Sequence, residues 1–509
     1  MKRILTIFMV LSLCLSMTAC NESGIKQNQK LLDSILYQNL EGCREAIEDG
    51  ASLDSLYGTS GAMVGNNFKE RNPLRIACAP RYDTLRSRRI VKLLLEKGAD
   101  PNAVNNNGRS VFSDAVSSSS IALCQMMIEH GGDFQKKDKY GLLPFDNFCI
   151  YAVDNWALPS KLDFLLSNGA QLSSKSLSYT IKGEHGEGYT RYGLVKRMAE
   201  KAEEKSIVME LTDLQTFILR GDLDSFKKTL QTNKIKNALF YAAAYGSAEC
   251  MEYMFHHGGS MSEVDHDGNT LLAVASKSGD MDTLQWLAKN YQWTNDQWYQ
   301  ALKGATECDQ LECTRYLMQK KIDISPSENE VNDALCYAIL NRNQVMVDEM
   351  LKYGFPLEKA GNAMYCALEN DLVDMAAFLL SKGFDMTQHY NEMSALDQAC
   401  SFGSTNCIDL LLKRGADINE PGHFSCPLFC ACSSGSYEAV STLLKCGAKV
   451  NVEGDTEAQP ITAAIYSGSL DIIKLLVEND ARITDEILET AKYCDSYRIY
   501  EFLQKQSRG

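Results

Sequence analysis

The sequence predicts an all-α solenoid, a one-dimensional stack of short helix-turn-helix units with short hairpin loops between them. Three observations predict it. The chain has 509 residues, more than one hydrophobic core normally serves, yet its 45% hydrophobic and 23% charged content is that of a folded soluble protein. A glycine-bearing segment recurs: LLLEKGADP (93–101), MMIEHGGD (126–133), LLLKRGADIN (410–419) and LLKCGAKVN (443–451). Gly98 and Gly131 stand 33 residues apart, Gly415 and Gly447 stand 32 apart, and Gly354, Gly383 and Gly415 follow at 29 and 32. Upstream of these glycines runs a second column: NPLRIACA (72–79), SVFSDAVS (110–117), NTLLAVAS (269–276), SALDQACS (394–401), CPLFCACS (426–433) and QPITAAIY (459–466).

In chain order, the first segment stands apart from the array. MKRILTIFMVLSLCLSMTAC places Lys2 and Arg3 before an apolar run from Ile4 to Leu15 and ends in small residues before a cysteine. A charged end, a short apolar core and a small-residue exit are the pattern of a signal peptide, and the run is too short for a standard membrane-spanning helix. Met17-Thr18-Ala19-Cys20 resembles a bacterial lipobox, with Met where Leu is usual. The resemblance implies that residues 1–19 are removed and that Cys20 becomes a diacylated, N-acylated N-terminus with enough buried methylenes to anchor the protein firmly. Ordinary secretion with cleavage at another small residue is the alternative. Residues 20–29 would then be a short tether.

Each element of a unit has a physical reason. Pro73, Pro427 and Pro460 open a first helix, where a missing N–H costs nothing. Ala, Gly and Cys along that helix let its neighbours approach closely. A glycine ends it, as at Gly279, Gly403, Gly435 and Gly468. Paired aliphatics such as Leu411 and Leu412 fill the space between second helices, and the exit glycine takes the left-handed conformation that other residues resist.

This combination resembles the ankyrin repeat, with its period near 33, TPLHxA opening and GADxN exit. The resemblance is strong at 72–136 and 392–482, recognisable at 140–172, 236–290 and 329–386, and weak at 30–54, 212–232 and 297–323. It implies about 13–14 units, with N-terminal repeats over 30–172, a degenerate repeat or insertion at 173–211, C-terminal repeats over 212–482 and capping helices over 483–509. If 173–211 breaks the period, it is a hinge or an interface between two stacks. In the clearer units the TPLH histidine slot holds Arg75, Ser113, Asp146, Ala273, Asp397, Phe429 or Thr462. The Thr–His hydrogen-bond network of the family is therefore expected to be mostly missing, and the stack less regular.

Two segments read as long loops, SLYGTSGAMVGNNFKER (55–71) and IKGEHGEGYTRYG (181–193). The second lacks the Gly-Lys-Ser/Thr ending that would make a phosphate cradle. The formal net charge of −15 argues against nucleic acid as a partner. None of the seven histidines sits in a metal-binding or catalytic signature, so no catalytic residue, metal or cofactor is assigned, and neither an enzymatic activity nor a small-molecule substrate is expected.

The chain holds 18 cysteines, three of them in FSCPLFCACSSG (424–435). In repeat register, Cys78, Cys149, Cys400 and Cys432 share one column. Equivalent helices lie about 8–10 Å apart, beyond the roughly 7 Å limit on a disulfide's Cα separation, so these thiols are expected to be buried and unpaired. Cys430 faces either a partner or the next repeat.

For a stack without evident chemistry, the resemblance implies protein-protein interaction through hairpin tips and first helices. The candidates at the tips are Asn105, Arg109, Lys137, Tyr140, His266, His389, Tyr390, His423 and Phe424. Aromatic side chains at such positions are hot-spot types, although each could instead cover a neighbouring repeat. The reading is a lipid-anchored scaffold of the bacterial cell envelope, its body in the periplasm or at the cell surface, that binds a protein partner. Narrower or different alternatives are an inhibitor or immunity partner of an exported enzyme, and a thiol-based metal or redox protein.

Overall fold

The computed structural model describes residues 26–36, 39–54, 72–79, 85–151, 158–173, 213–232 and 238–507, with short gaps at 266, 321, 323–333, 356, 358–360, 391, 421–425, 453–457 and 494–496, and scattered positions between 175 and 202. The proposed signal peptide, Cys20, the 55–71 and 181–193 loops, and the candidates His266, His423 and Phe424 lie outside these residues.

The described residues form a series of helix pairs and no strand. Unit 1 holds a helix over 26–36 and Leu40–Glu48; unit 2, Pro73–Ala77 and Leu85–Glu96; unit 3, Val111–Ser118 and Ile121–Glu129; unit 4, Pro144–Tyr151 and Leu158–Ser167. Helical positions between 175 and 202 stand in the place of unit 5. Unit 6 is Asp213–Arg220 and Leu223–Thr232; unit 7, Ala238–Tyr245 and Ala248–His256; unit 8, Leu271–Ser278 and Met281–Asn290; unit 9, Asn295–Glu307 and Leu311–Met318. Unit 10 is Ala334–Leu340 and Gln344–Lys352; unit 11, Gly361–Glu369 and Val373–Ser381; unit 12, Ala395–Phe402 and Thr405–Lys413; unit 13, Pro427–Ser434 and Tyr437–Lys445; unit 14, Pro460–Tyr466 and Leu470–Glu478. Asp485–Tyr493 and Tyr497–Ser507 close the stack.

First helices pack on first helices and second on second along the array. The packed faces are those the periodicity marks. Leu411, Leu443 and Leu476 are fully buried between second helices, where truncation to alanine typically costs about 2–5 kcal/mol. Exit glycines from Gly98 to Gly447 take positive φ, and Asp480 does so at the exit of unit 14. Unit 9, where the motif is weak, is nonetheless a helix pair between units 8 and 10. Thr294 and Gln297 form a reciprocal capping box at its start, and Ala301, Gly304 and Ala305 supply the small buried face.

The expectation of a missing polar network needs correction. Other residues rebuild it. Asn72, Ser110, Thr270 and Ser394 each accept a hydrogen bond from the backbone N–H three residues on, satisfying a helix start. Arg75, in the histidine slot, donates to the carbonyls of Ala103 (3.3 Å) and Arg109 (2.8 Å) in the next hairpin. At the opposite edge, donors from one unit cap the first-helix carbonyls of the unit before. Ser119 Oγ reaches Cys78 O (3.0 Å), Lys161 Nζ reaches Ser119 O (2.5 Å), Asn341 Nδ2 reaches Thr306 O (2.9 Å) and Ser404 Oγ reaches Leu368 O (2.5 Å).

The array folds back on itself. Arg498 of the closing pair meets Asp49 (2.9 Å) and Glu48 (3.7 Å) of unit 1. Arg44 of unit 1 meets Asp471 of unit 14 (3.7 Å). Arg89 of unit 2 donates to Ser434 O of unit 13 (2.8 Å) and to Phe402 O and Gly403 O of unit 12 (both 3.2 Å). Ser160 of unit 4 bonds Asn341 of unit 10 (3.3 Å). Units 1 to 4 thus meet the C-terminal units in reverse order, as two antiparallel stacks. The seam is built from interhelical turns and the second helices of units 1, 2 and 4. A second helix of nine residues is about 13 Å long, so the hairpin exits lie one helix length away from the seam.

Candidate protein-interaction surface

Among the described residues, three hairpins are each pinned by an isolated antiparallel bridge, Val104 with Ser110, Val264 with Thr270 and Tyr390 with Met393. Neighbouring tips are also tied. Lys139 N donates to Asn107 O (3.0 Å), the Asn102 side chain accepts from Asp133 N (2.9 Å), and that of Asn419 accepts from Lys449 N (2.8 Å). The hairpins after units 2 and 3, and the exits of units 12 and 13, are therefore bonded laterally rather than standing as independent loops.

The predicted site residues divide in two. Lys137, Tyr140 and His389 are presented to solvent. Tyr140 is 68% exposed, with Lys139 Nζ 5.0 Å from its ring centre. His389 is 42% exposed at its side chain, its Nε2 3.7 Å from the Glu420 carboxylate. Asn105 is exposed as well, whereas Arg109 and Tyr390 are half-buried within the stack. Asn105 accepts from the backbone of Asn107 (2.9 Å) and Arg109 (3.1 Å), which shapes its own turn. Arg109 is only 21% exposed; its Nε lies 2.7 Å from Asp114, its NH2 donates to Ser117 (3.0 Å), and its guanidinium sits 4.6 Å over the Tyr151 ring. Tyr390 lies against Gly361, where an added Cβ would come within 2.5 Å of the ring. Arg109 and Tyr390 are half-buried, each packed on a neighbour. The exposed Val104 and Val264 were missed, because a valine in a hairpin looks like core in the sequence. Tyr466 and Tyr493, exposed at the ends of first helices, have no counterpart in the repeat motif that would mark them.

Most of the described cysteines are buried and serve packing. The described ones are thiols outside any disulfide, and Cys78, Cys149, Cys400 and Cys432 are buried in their shared column. Cys430 is 5% exposed, so it faces the stack. Burial pushes the Cys43 thiol up to about 12 and the Cys400 and Cys432 thiols well above the ordinary range, which suppresses the thiolate that redox and metal chemistry need. Among the described residues, no three His, Cys, Asp or Glu side chains are placed to hold a metal ion. No helix among them is long and apolar enough to cross a membrane.

A model of the ankyrin repeat matches residues 69–106, and a model of ankyrin repeats in three copies matches 214–297, 335–422 and 396–487. Together they cover more than half of the chain, which therefore belongs to the ankyrin-repeat family. Proteins of this family are interaction scaffolds and are typically not enzymes. No curated protein sequence matches the chain.

Proposed function

We propose that the chain is a scaffold of the bacterial cell envelope, held at a membrane through a lipid on Cys20, which engages a protein partner with the row of hairpin tips around units 3 and 4. The observation that carries the binding reading is Tyr140, an aromatic ring 68% exposed on a tip that backbone hydrogen bonding ties to its neighbour. A large ring on a held loop loses little entropy on binding, the condition for a hot spot. Lys137 and the exposed Val104 extend the patch. The anchoring reading rests on the lipobox resemblance of residues 17–20.

Affinity capture with crosslinking from envelope extracts tests the binding. Tyr140→Ala with Lys137→Ala is expected to lower recovery of the partner at least about 10-fold, the effect of losing one hot spot, at unchanged helical content. Undiminished recovery would refute the assignment to these tips. Lipid labelling that disappears in Cys20→Ala supports the anchor, and labelling that persists removes it. A stoichiometric enzyme among the captured proteins, inhibited in the complex, would narrow the function to an inhibitor or immunity partner.

A further inference from the structure

The seam between the two stacks is unlike the packing within them. Inside each stack, buried leucine, alanine and cysteine side chains are in continuous contact. Across the seam, arginine and serine side chains make the bridges, and a cleft of about 670 Å³, lined also by Leu40, Leu93, Tyr437 and Leu475, runs along it. The N-terminal wall carries Arg44, Arg89, Lys92 and Glu96; the C-terminal wall carries Glu438, Asp471, Lys474 and Glu478. Arg88 flanks the first wall and acts electrostatically on Glu369, whose carboxyl burial pushes up. With Glu96 among the cations and Lys474 among the anions, a net-cationic face of units 1 and 2 meets a net-acidic face of units 13 and 14.

Arg89 is the centre of this arrangement. Its guanidinium takes three carbonyls at the ends of two first helices, the negative poles of those helices. Within a stack, the next unit supplies such caps, as Ser404 and Asn341 do. Gly403 makes room for the arginine. At φ +68° it adopts a conformation that side chains resist, and an added Cβ would collide with the guanidinium. At the open end, Arg498 grips Asp49 and Glu48, all of them at least one-third exposed at their side chains and therefore subject to screening by salt.

We propose that Arg44, Arg89 and Arg498 form a releasable electrostatic clasp that holds the two stacks of this solenoid face to face, so that the protein interconverts between a closed, folded-back form and an open, extended one. Opening uncovers the Arg44–Arg89–Lys92 strip and the turn edges of units 12 to 14. It needs no change inside any repeat, because the extensive helix-helix packing is between neighbours in the array.

Small-angle scattering on the full chain tests this. Arg89→Glu with Arg498→Glu is expected to raise the radius of gyration roughly 1.5-fold, the change from a compact body to an extended stack of helix pairs about 10 Å apart, at retained helicity. The wild type is expected to expand in the same direction between about 0.05 and 1 M salt, as screening shortens the reach of the pairs. Lys137→Glu with Lys449→Glu, an equal charge change at hairpins away from the seam, is expected to leave the radius unchanged. Should the double reversal lose helicity, the charge swap Arg498→Glu with Asp49→Arg and Glu48→Arg decides: recovery of the wild-type radius relative to Arg498→Glu alone supports the clasp. A radius insensitive to salt and to both Arg498 arms overturns it.

Discussion

Units 2 and 12 put opposite charges in the same slot, and each solves the problem differently. Arg75 of unit 2 reaches outward. It bonds two carbonyls of the following hairpin and shares the carboxylate of Asp114 with Arg109, so two cations lean on one anion. Asp397 of unit 12 turns back on its own helix. One of its oxygens closes the capping box with Ser394, while the other has no partner among the described residues. Backbone register is thus dictated by the repeat, whereas the polar filling of each slot is settled locally by its neighbours.

The largest effect is expected from breaking the unit 2 solution. Asp114→Ala leaves Arg75 and Arg109 facing one another without their counter-ion. Burial and Arg109 already hold the Arg75 guanidinium down at about 10. The loss should be about 2–3 kcal/mol, just below the roughly 3–5 kcal/mol for breaking a fully buried pair because these side chains keep some solvent contact. Hydrogen exchange should show the loss confined to units 1 to 4, as expected when stability is a sum over neighbours. Uniform loosening of all units would contradict the local account.

Asp397→Asn, in unit 12, should do the reverse and by less. Burial pushes the Asp397 carboxyl up, with Glu420 adding to it and Ser394 and His389 opposing. A carboxyl with a raised folded-state pKa contributes stability that is present below its ordinary value of 3.8 and is lost as pH rises through the folded value. The amide removes that loss. Urea titrations should show a gain at neutral pH that shrinks toward zero as pH falls to 3.8, and a pH-independent difference would refute the burial argument.

Two tip tyrosines sharpen the contrast between presented and packed side chains. Tyr390→Ala should cost about 1 kcal/mol through its lost contact with Gly361 and leave partner capture intact. Tyr140→Ala should change stability by less than about 0.5 kcal/mol and lower capture. The smallest perturbation is a thiol probe. In the native protein Cys446 should react first, being exposed, and the column cysteines Cys78, Cys149, Cys400 and Cys432 only after unfolding.

Much of the fold was legible because its determinants are local and periodic. Exit glycines, proline helix starts, paired leucines and the cysteine column each mark one position in one unit, and each sits where its spacing places it. Unit 9 was faint because a capping box and small residues replaced the motif without changing the packing. The surface was less legible. Arg109 and Tyr390 lie at hairpins, where residues are ordinarily exposed, yet Asp114 and Gly361 draw them in, and those partners stand at no fixed spacing. The seam left no trace in the sequence. Arg89 and Ser434 are 345 residues apart, and nothing periodic links them.

The fold-back is the central claim, and zero-length carbodiimide crosslinking of the full chain, followed by peptide mapping, tests it most directly. Lys92 lines the same cleft as Glu438 and Glu478. The two-stack account predicts crosslinks from Lys92 to these second helices of units 13 and 14. Crosslinks from Lys92 confined to Glu96 and the adjoining units, in a folded protein, would contradict it.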